Sequence, residues 1–395
     1  MDNPGIRSVP VREVVSSYIG GGWGTDTPDE KHDCRVAVIR GADFPSFTNP
    51  QSTDFPIRFE PSKKVKGRSL KAGDIVLEIS GGSSDRPTGR TVIVTQRLLD
   101  RYQAPLIPAS FCRLMRVNRS IANPDYLYYW FQDMFNQGRT WNYQNRSTGI
   151  ANFQFEYFLD EEQVLLPELG RQESIARVLR SLDDKIESNQ RQIENLHELA
   201  VLKFAGQNPT RSLPLGEVAE VTMGSSPKGT SLNEQAVGTV FYQGTRDFGF
   251  RYPSRRVWTT EPTRMAEKGD TLVAVRAPVG TLNRAPEQLC VGRGLAAVKS
   301  EYESLIYYAL LGAKAEFEPY NSEGTVFGSI NKKAMNEIHV RWPDDPKTLD
   351  SQLRTFDELI RSYTRQNDTL RSLRDTLLPE LLSGRITPEQ LEAGL

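Results

Sequence analysis

Two stretches of this chain concentrate cations inside an almost neutral whole. Residues 58–101 carry ten Lys and Arg against five Asp and Glu, and residues 246–293 carry nine against five, while the 395-residue chain has a net charge of −1. Such clusters are either solvated faces or phosphate-facing patches, and a chain this neutral would need partners for much of its grip on a polyanion. Segments suited to covalent chemistry fare worse. Gly224-Ser225-Ser226-Pro227-Lys228-Gly229 is phosphate-friendly, yet no Gly-Lys-Ser/Thr follows, so no ATP site is expected. Asp183-Asp184-Lys185 and Asp344-Asp345-Pro346-Lys347 have the carboxylate density of a nuclease. The first lies inside a heptad pattern and the second at a helix start, where acids suit the helix dipole. No Pro-Pro pair occurs, so the loop that holds a flipped adenine in a methyltransferase is missing. Cys34, Cys112 and Cys290 are odd in number and far apart, which reads as free thiols in a reducing cytoplasm. With only three His besides, no metal site is expected, and no catalytic residue is assigned.

The elements that must position these residues are announced by a repeat. Ile175, Leu179, Leu182, Ile186, Asn189, Ile193 and Leu196 recur as Leu349, Leu353, Phe356, Ile360, Tyr363, Asn367 and Leu370, each pair 174 residues apart. The 4-3-4-3-4-3 spacing draws one apolar seam along a helix that packs on another helix. One helix is expected from about Arg171 to Phe204, roughly 50 Å at 1.5 Å per residue. The other is expected from about Thr348 to Leu378, where Pro379 should disturb it, with Ser383-Gly384 closing the helical stretch. Pseudo-twofold symmetry favours antiparallel packing, with Asn189 and Asn367 facing each other near its centre. The alternative is two surface helices, each packed on its own domain.

The regions between repeat more loosely. Val9–Val14 echoes Leu213–Val218, and each leads to a glycine, Gly20 and Gly224. Arg40-Gly41-Ala42-Asp43-Phe44 echoes Gln243–Phe248 with one residue inserted, Gly73–Leu77 echoes Gly269–Val273, and Leu127-Tyr128-Tyr129 echoes Ile306-Tyr307-Tyr308. Ser147-Thr148-Gly149 pairs with Ser322-Glu323-Gly324. Asp74–Ile79, Thr91–Thr95, Thr271–Val275 and Ala296–Lys299 read as strands. The expected fold class is α+β: two similar mixed α/β domains, 1–169 and 207–346, separated by two long helical regions, 170–206 and 347–395, that form an antiparallel coiled coil. No run of about 18 apolar residues suggests a membrane span, and Met1–Gly5 lacks a signal-peptide pattern.

Gly269-Asp270-Thr271-Leu272-Val273-Ala274-Val275-Arg276-Ala277-Pro278-Val279-Gly280, followed by Val291–Ala297, resembles a target-recognition domain of type I restriction–modification specificity subunits. Gln172–Ala176 and Leu377–Gly384 resemble that family's spacer regions, and the match runs through the whole chain in the family's order. The resemblance implies a non-catalytic subunit that reads a gapped, bipartite site in double-stranded DNA, one half-site per domain. It implies two methyltransferase subunits docked on the helices, with two motor-nuclease subunits as the optional addition. S-adenosylmethionine, ATP and Mg would then belong to those partners, and the location would be cytoplasmic. The first domain departs from the pattern, with Ser80-Gly81-Gly82-Ser83-Ser84 where the second has Arg276-Ala277-Pro278-Val279-Gly280.

Base edges are read by Arg, Lys, Asn and Gln, while Ser, Thr and backbone amides hold phosphates. On that chemistry the candidates in the first domain are Arg40, Ser83, Ser84, Arg86, Thr88 and Arg90. In the second they are Lys228, Gln243, Thr245, Arg246, Arg276, Asn283, Arg284 and Arg293. The competing reading makes several of these arginines structural, paired with acids or carbonyls. Tyr143, Asn145 and Arg146 stand between DNA contact and packing, and Asp43, Asp74, Asp247 and Asp270 read as turn or cap residues. Two rivals remain: a self-sufficient enzyme, opposed by the missing motifs, and a coiled-coil scaffold or DNA-binding module without a methyltransferase partner. A DNA mimic should be strongly acidic, which this chain is not.

Overall fold

In a computed structural model, residues 6–48, 55–82, 86–146, 151–207, 211–322 and 328–393 are described. They form two compact units, 1–191 with 364–395, and 192–363. The long helices span Leu169–Ala205 and Pro346–Ser383, so each unit holds a segment of both.

Three kinds of sheet recur in both units, and the first adds a small three-stranded sheet of Gln144–Arg146, Ala151–Phe153 and Ser80–Gly81. A four-stranded antiparallel sheet in the first runs Val15–Gly20, Cys112–Val117, Ile75–Glu78, Thr91–Ile93. Its counterpart runs Glu220–Met223, Leu295–Lys299, Thr271–Ala274, Leu282–Arg284. A second sheet in each unit contains one parallel pair, Cys34–Ile39 with Leu106–Pro108 and Thr239–Tyr242 with Leu289–Val291. A two-stranded ribbon completes each unit, Arg7–Pro10 with Gln163–Leu166 and Arg211–Pro214 with His339–Trp342. The duplication also explains its own drift. Strand Val15–Gly20 is bulged between Val15 and Ser17, an extra residue that makes Gly21, not Gly20, the counterpart of Gly224.

Turns repeat with the same chemistry. The Asp74 carboxylate accepts the Lys71 amide at 2.8 Å, and Asp270 accepts the Glu267 amide at 2.8 Å. Gly73 and Gly269 before them have φ of +87° and +98°, a region that only glycine enters freely.

Helices Pro124–Asn136 and Glu303–Gly312 pack under the four-stranded sheets and bind each unit to a long helix. The Tyr129 hydroxyl donates to Asp183 at 2.6 Å and the Tyr308 hydroxyl to Asp357 at 2.9 Å, and those two aspartates are again 174 residues apart. Asp350 caps helix Glu303–Gly312 from outside, accepting the Ser304 and Leu305 amides at 2.9 and 3.0 Å.

None of the fourteen seam residues is exposed. In the first unit the helix segments run antiparallel, with Asn189 near Gln366 and Asp183 near Arg374. Ile175 and Leu179 share a core with Leu378, Leu381 and Leu382. In the second, Ala200 lies in one core with Leu349 and Leu353. One helix expectation is corrected. Asn189 and Asn367 are both buried, but Asn189 donates to Gln366 Oε1 and Asn367 to the Ile186 carbonyl, each at 3.3 Å. The second helix closes at Ser383, as expected, and runs through Pro379 because Leu378, Leu381 and Leu382 anchor that turn in the core.

Candidate nucleic-acid interface

In the second unit three loops are sewn together at one end of the sheets. The Gly224 amide donates to the Leu295 carbonyl at 2.9 Å and the Ser225 amide to Val291 at 3.0 Å. Gly292 donates to Tyr242 at 2.9 Å and Gly294 to Gln243 at 3.1 Å. A Cβ on Gly224 would lie 2.2 Å from the Gly292 carbonyl oxygen, so the close approach of the loops excludes any larger residue there. Side chains continue the weave, since Ser226 Oγ donates to Gln243 Oε1 at 2.8 Å and accepts the Arg293 amide at 3.4 Å. The Val275 amide donates to the Gly294 carbonyl at 3.0 Å, which brings Arg276 to the same place.

This frame displays cations. Arg276 and Arg293 are exposed and have no side-chain partner among the described residues; the same holds for Arg246 and Arg264. Arg246 sits in the turn Thr245–Asp247, which the buried Asp247 fixes by accepting from Arg256 at 2.7 and 3.0 Å. Thr245 is half-buried in that turn. Lys228 is exposed and makes only a loose pair with Glu261 at 3.8 Å. Unpaired guanidiniums and an amide side chain on a rigid loop frame are suited to hydrogen-bonding base edges and phosphates.

Two candidates of this domain are corrected. Asn283 is fully buried and donates to the Gly249 carbonyl at 2.8 Å. Arg284 is buried against Asp357 and the carbonyls of Gly269 and Glu303. Both lie on the outermost strand of the sheet and point to its opposite faces, each buried there against polar partners of the fold.

The first unit repeats the frame with different chemistry. Gly21 donates to Cys112 at 3.1 Å, Gly22 to Pro108 at 2.9 Å, Ala109 to Ile39 at 2.8 Å and Ile79 to Phe111 at 2.9 Å. These bonds place Arg40 where the second unit has Gln243, Ser110 where it has Arg293, and Ser80 where it has Arg276. Arg40 is committed to Asp43, whose carboxylate it meets at 2.7 to 3.3 Å, so its guanidinium is half spent before any ligand arrives. The hydrogen bonds to Asp43 raise the Arg40 pKa against a small opposing effect of burial. Ser80 Oγ donates to Asn152 at 2.6 Å.

The loop expected to read DNA in this domain turns inward. Arg86 and Arg90 both donate to the buried Glu78, Arg90 through two bonds of 2.9 and 2.7 Å plus a third to the Gly41 carbonyl. Thr88 is fully buried, its amide donating to Gln144 Oε1 at 2.9 Å. Thr88 and Arg90 are therefore corrected to scaffold: one acid in the interior draws both arginines down. Ser83 and Ser84 lie outside the described residues. So do Ser147-Thr148-Gly149 and all of Ser322-Glu323-Gly324 but the backbone of Ser322. Tyr143 is buried and donates to Glu162 at 2.6 Å, a packing role, while Asn145 is exposed.

Sequence reasoning missed the most exposed features of the first frame. Phe111 is 64% exposed, and Trp23, next to Gly22, is 38% exposed with the Arg58 guanidinium 4.4 Å from its ring centroid. The glycine run Gly20-Gly21-Gly22, followed by an aromatic residue, was the available signal for a close-packed loop of this kind.

A duplicated α/β reader on paired long helices, with cationic loops and no catalytic motif in its sequence, is the build of a DNA sequence-specificity subunit. Residues 43–198 match the type I restriction modification DNA specificity domain. A putative type I restriction enzyme specificity subunit of Methanocaldococcus jannaschii is 29% identical over 301 residues, 69% of this chain and 70% of that protein. The structure of a type I restriction–modification system S subunit from M. genitalium shares the fold at a TM-score of 0.56 and 15% identity, over 96% of this chain and 97% of its own. The HsdS subunit of Thermoanaerobacter tengcongensis is 21% identical over 97% of this chain and 98% of its own, with a TM-score of 0.36. Among the described residues no helix is long and apolar enough to cross a membrane.

Proposed function

We propose that this specificity subunit reads a gapped DNA site in the cytoplasm, one half-site per domain, as part of an adenine methyltransferase complex. The observation that carries the reading is the set of four exposed, unpaired arginines (Arg246, Arg264, Arg276 and Arg293) around the sewn loops of the second unit. The first domain reads its half-site with different groups: Arg40, Asn152, Phe111 and Trp23 stand at the corresponding loops. Phe111 and Trp23 suit contact with a thymine methyl or the sugar edge rather than hydrogen-bonded readout.

Two methyltransferase subunits dock on the outer faces of the long helices. Leu199 and Leu373 support this, being 52% and 44% exposed and 174 residues apart, so each unit offers an equivalent apolar position. S-adenosylmethionine, and ATP with Mg where motor-nuclease subunits join, sit on those partners. Sequencing the methylome with and without the gene tests the proposal. A gapped adenine motif should vanish on deletion, and an unchanged methylome would refute it.

A further inference from the structure

The first unit holds a cavity of about 370 Å³, and in the second unit the equivalent place is filled by that unit's own segment 249–252. In the second unit the segment 249–252 lies along the outer edge of strand Leu282–Arg284. The Arg284 amide donates to the Arg251 carbonyl at 2.9 Å, and Asn283 Nδ2 donates to the Gly249 carbonyl at 2.8 Å. Arg251 is buried, its guanidinium 3.5 Å from the Tyr307 ring centroid and bonded to Asp357 and to the Tyr308 hydroxyl. Phe250 packs edge-on against His197 at 5.2 Å.

The same three walls surround the cavity of the first unit: strand Thr91–Ile93, Tyr128 of helix Pro124–Asn136, and Asp183 of the long helix. They correspond to strand Leu282–Arg284, Tyr307 and Asp357. Here the loop after the parallel strand takes another course, coiling as the 3-10 helix Gly41–Thr48, so that Phe44 and Phe47 become a wall. Among the described residues no further strand pairs with the outer edge of Thr91–Ile93. Glu78 donates to the Arg90 carbonyl and Val94 to Asp74, so antiparallel alternation turns Thr91 and Ile93 outward. Gln132 occupies the Thr91 carbonyl at 3.0 Å, and the Ile93 amide has no acceptor among the described residues.

We infer that this cavity is a strand-addition slot for an extended, acidic segment of a partner protein, bearing an aromatic side chain. Main-chain pairing with an open strand edge supplies affinity in such slots, and alternate side chains supply selectivity. The acidic preference follows from the walls. Of the arginines in them, Arg90 pairs with Glu78, Arg97 with Glu187, Arg180 with Asp125 and Asp184, and Arg374 with Asp183, so the preference rests on the remaining one, Arg101. Asp183 already accepts from Arg374 at 2.7 Å, so no incoming arginine is needed where Arg251 serves the second unit. Arg101 is exposed and has no partner among the described residues, which leaves a guanidinium for an incoming carboxylate.

Two capped pentapeptides titrated into the full-length chain by calorimetry test the slot: Gly-Phe-Arg-Tyr-Pro, the sequence of residues 249–253, and Gly-Phe-Glu-Tyr-Pro. The glutamate peptide should bind saturably and about tenfold more tightly than the arginine peptide, a difference of roughly 1.4 kcal/mol. Binding should slow hydrogen exchange at the Ile93 amide. Arg101→Glu, a surface change, should reverse the order of the two peptides at unchanged melting temperature, and Lys63→Glu should leave it alone. No saturable binding would overturn the inference, as would an order that Arg101→Glu leaves intact. Displacement of the peptide by equimolar glutamate or inorganic phosphate would reassign the cavity to small anions and equally overturn it.

Discussion

Replacing Asp357 with Asn should destabilise the second unit far more than the repeat-equivalent Asp183→Asn destabilises the first. Asp357 is 6% exposed and accepts from two buried guanidiniums, Arg251 and Arg284, as well as from the Tyr308 hydroxyl. Arg251 Nε and Nη1 already lack acceptors, so no spare partner stands by when the carboxylate is neutralised. Leaving a buried charge uncompensated costs about 3–5 kcal/mol. Asp183 is 23% exposed, and its partner Arg374 also bonds Asp375 at 2.8 Å, so its charge can be shared with water and a neighbour. The loss there should be about 1 kcal/mol, as for a half-solvated pair. At about 2–4 °C per kcal/mol for a unit of this size, Asp357→Asn should lower the melting of the second unit by roughly 6–20 °C. Thermal denaturation with hydrogen exchange to assign each transition would measure both variants. Equal losses at the two positions would refute the view that the second unit is pinned to its helix by a buried charge cluster.

Burial, reinforced by the nearby Arg251 charge, holds the His197 pKa down at about 4, against an ordinary 6.5. The folded state refuses a proton that the unfolded chain accepts, so stability is full above pH 6.5 and falls as the pH drops towards 4; His197→Phe should flatten that slope in pH-dependent melts, and an unaltered slope would count against it. Asn367→Leu should raise the melting temperature, because Asn367 Oδ1 is buried with no partner; a lowered one would mean the Ile186 contact is worth more than the desolvation. Leu199→Asp should remove one of two methyltransferase subunits, and adding Leu373→Asp should remove the second, as read by mass photometry; full occupancy in the double variant would exclude this docking face.

The helices were legible because their seam is a property of local spacing: a 3.5-residue period survives whatever the domains between do. The turns at Asp74 and Asp270 were legible for the same reason, since the acid and the amide that it caps are three residues apart. The frame of the proposed reading surface was legible only where glycines force loops together, as around Gly224, Gly292 and Gly294. Side-chain direction was not. Arg90 and Arg284 look like base readers beside Gly and Pro, yet their partners, Glu78 and Asp357, are set by folding at 12 and 73 residues' distance. An arginine's fate depends on whether an acid is buried beneath it, and no spacing rule reports that.

Methylome sequencing of cells carrying Arg276→Ala, in an otherwise intact system, tests the central claim most directly. Loss of one bidentate base contact should relax recognition by about 1–3 kcal/mol at a position in one half of the gapped motif, leaving the other half and the gap length unchanged. Relaxation spread equally over both halves, or a motif that does not change at all, would contradict the account of two independent readers on one chain.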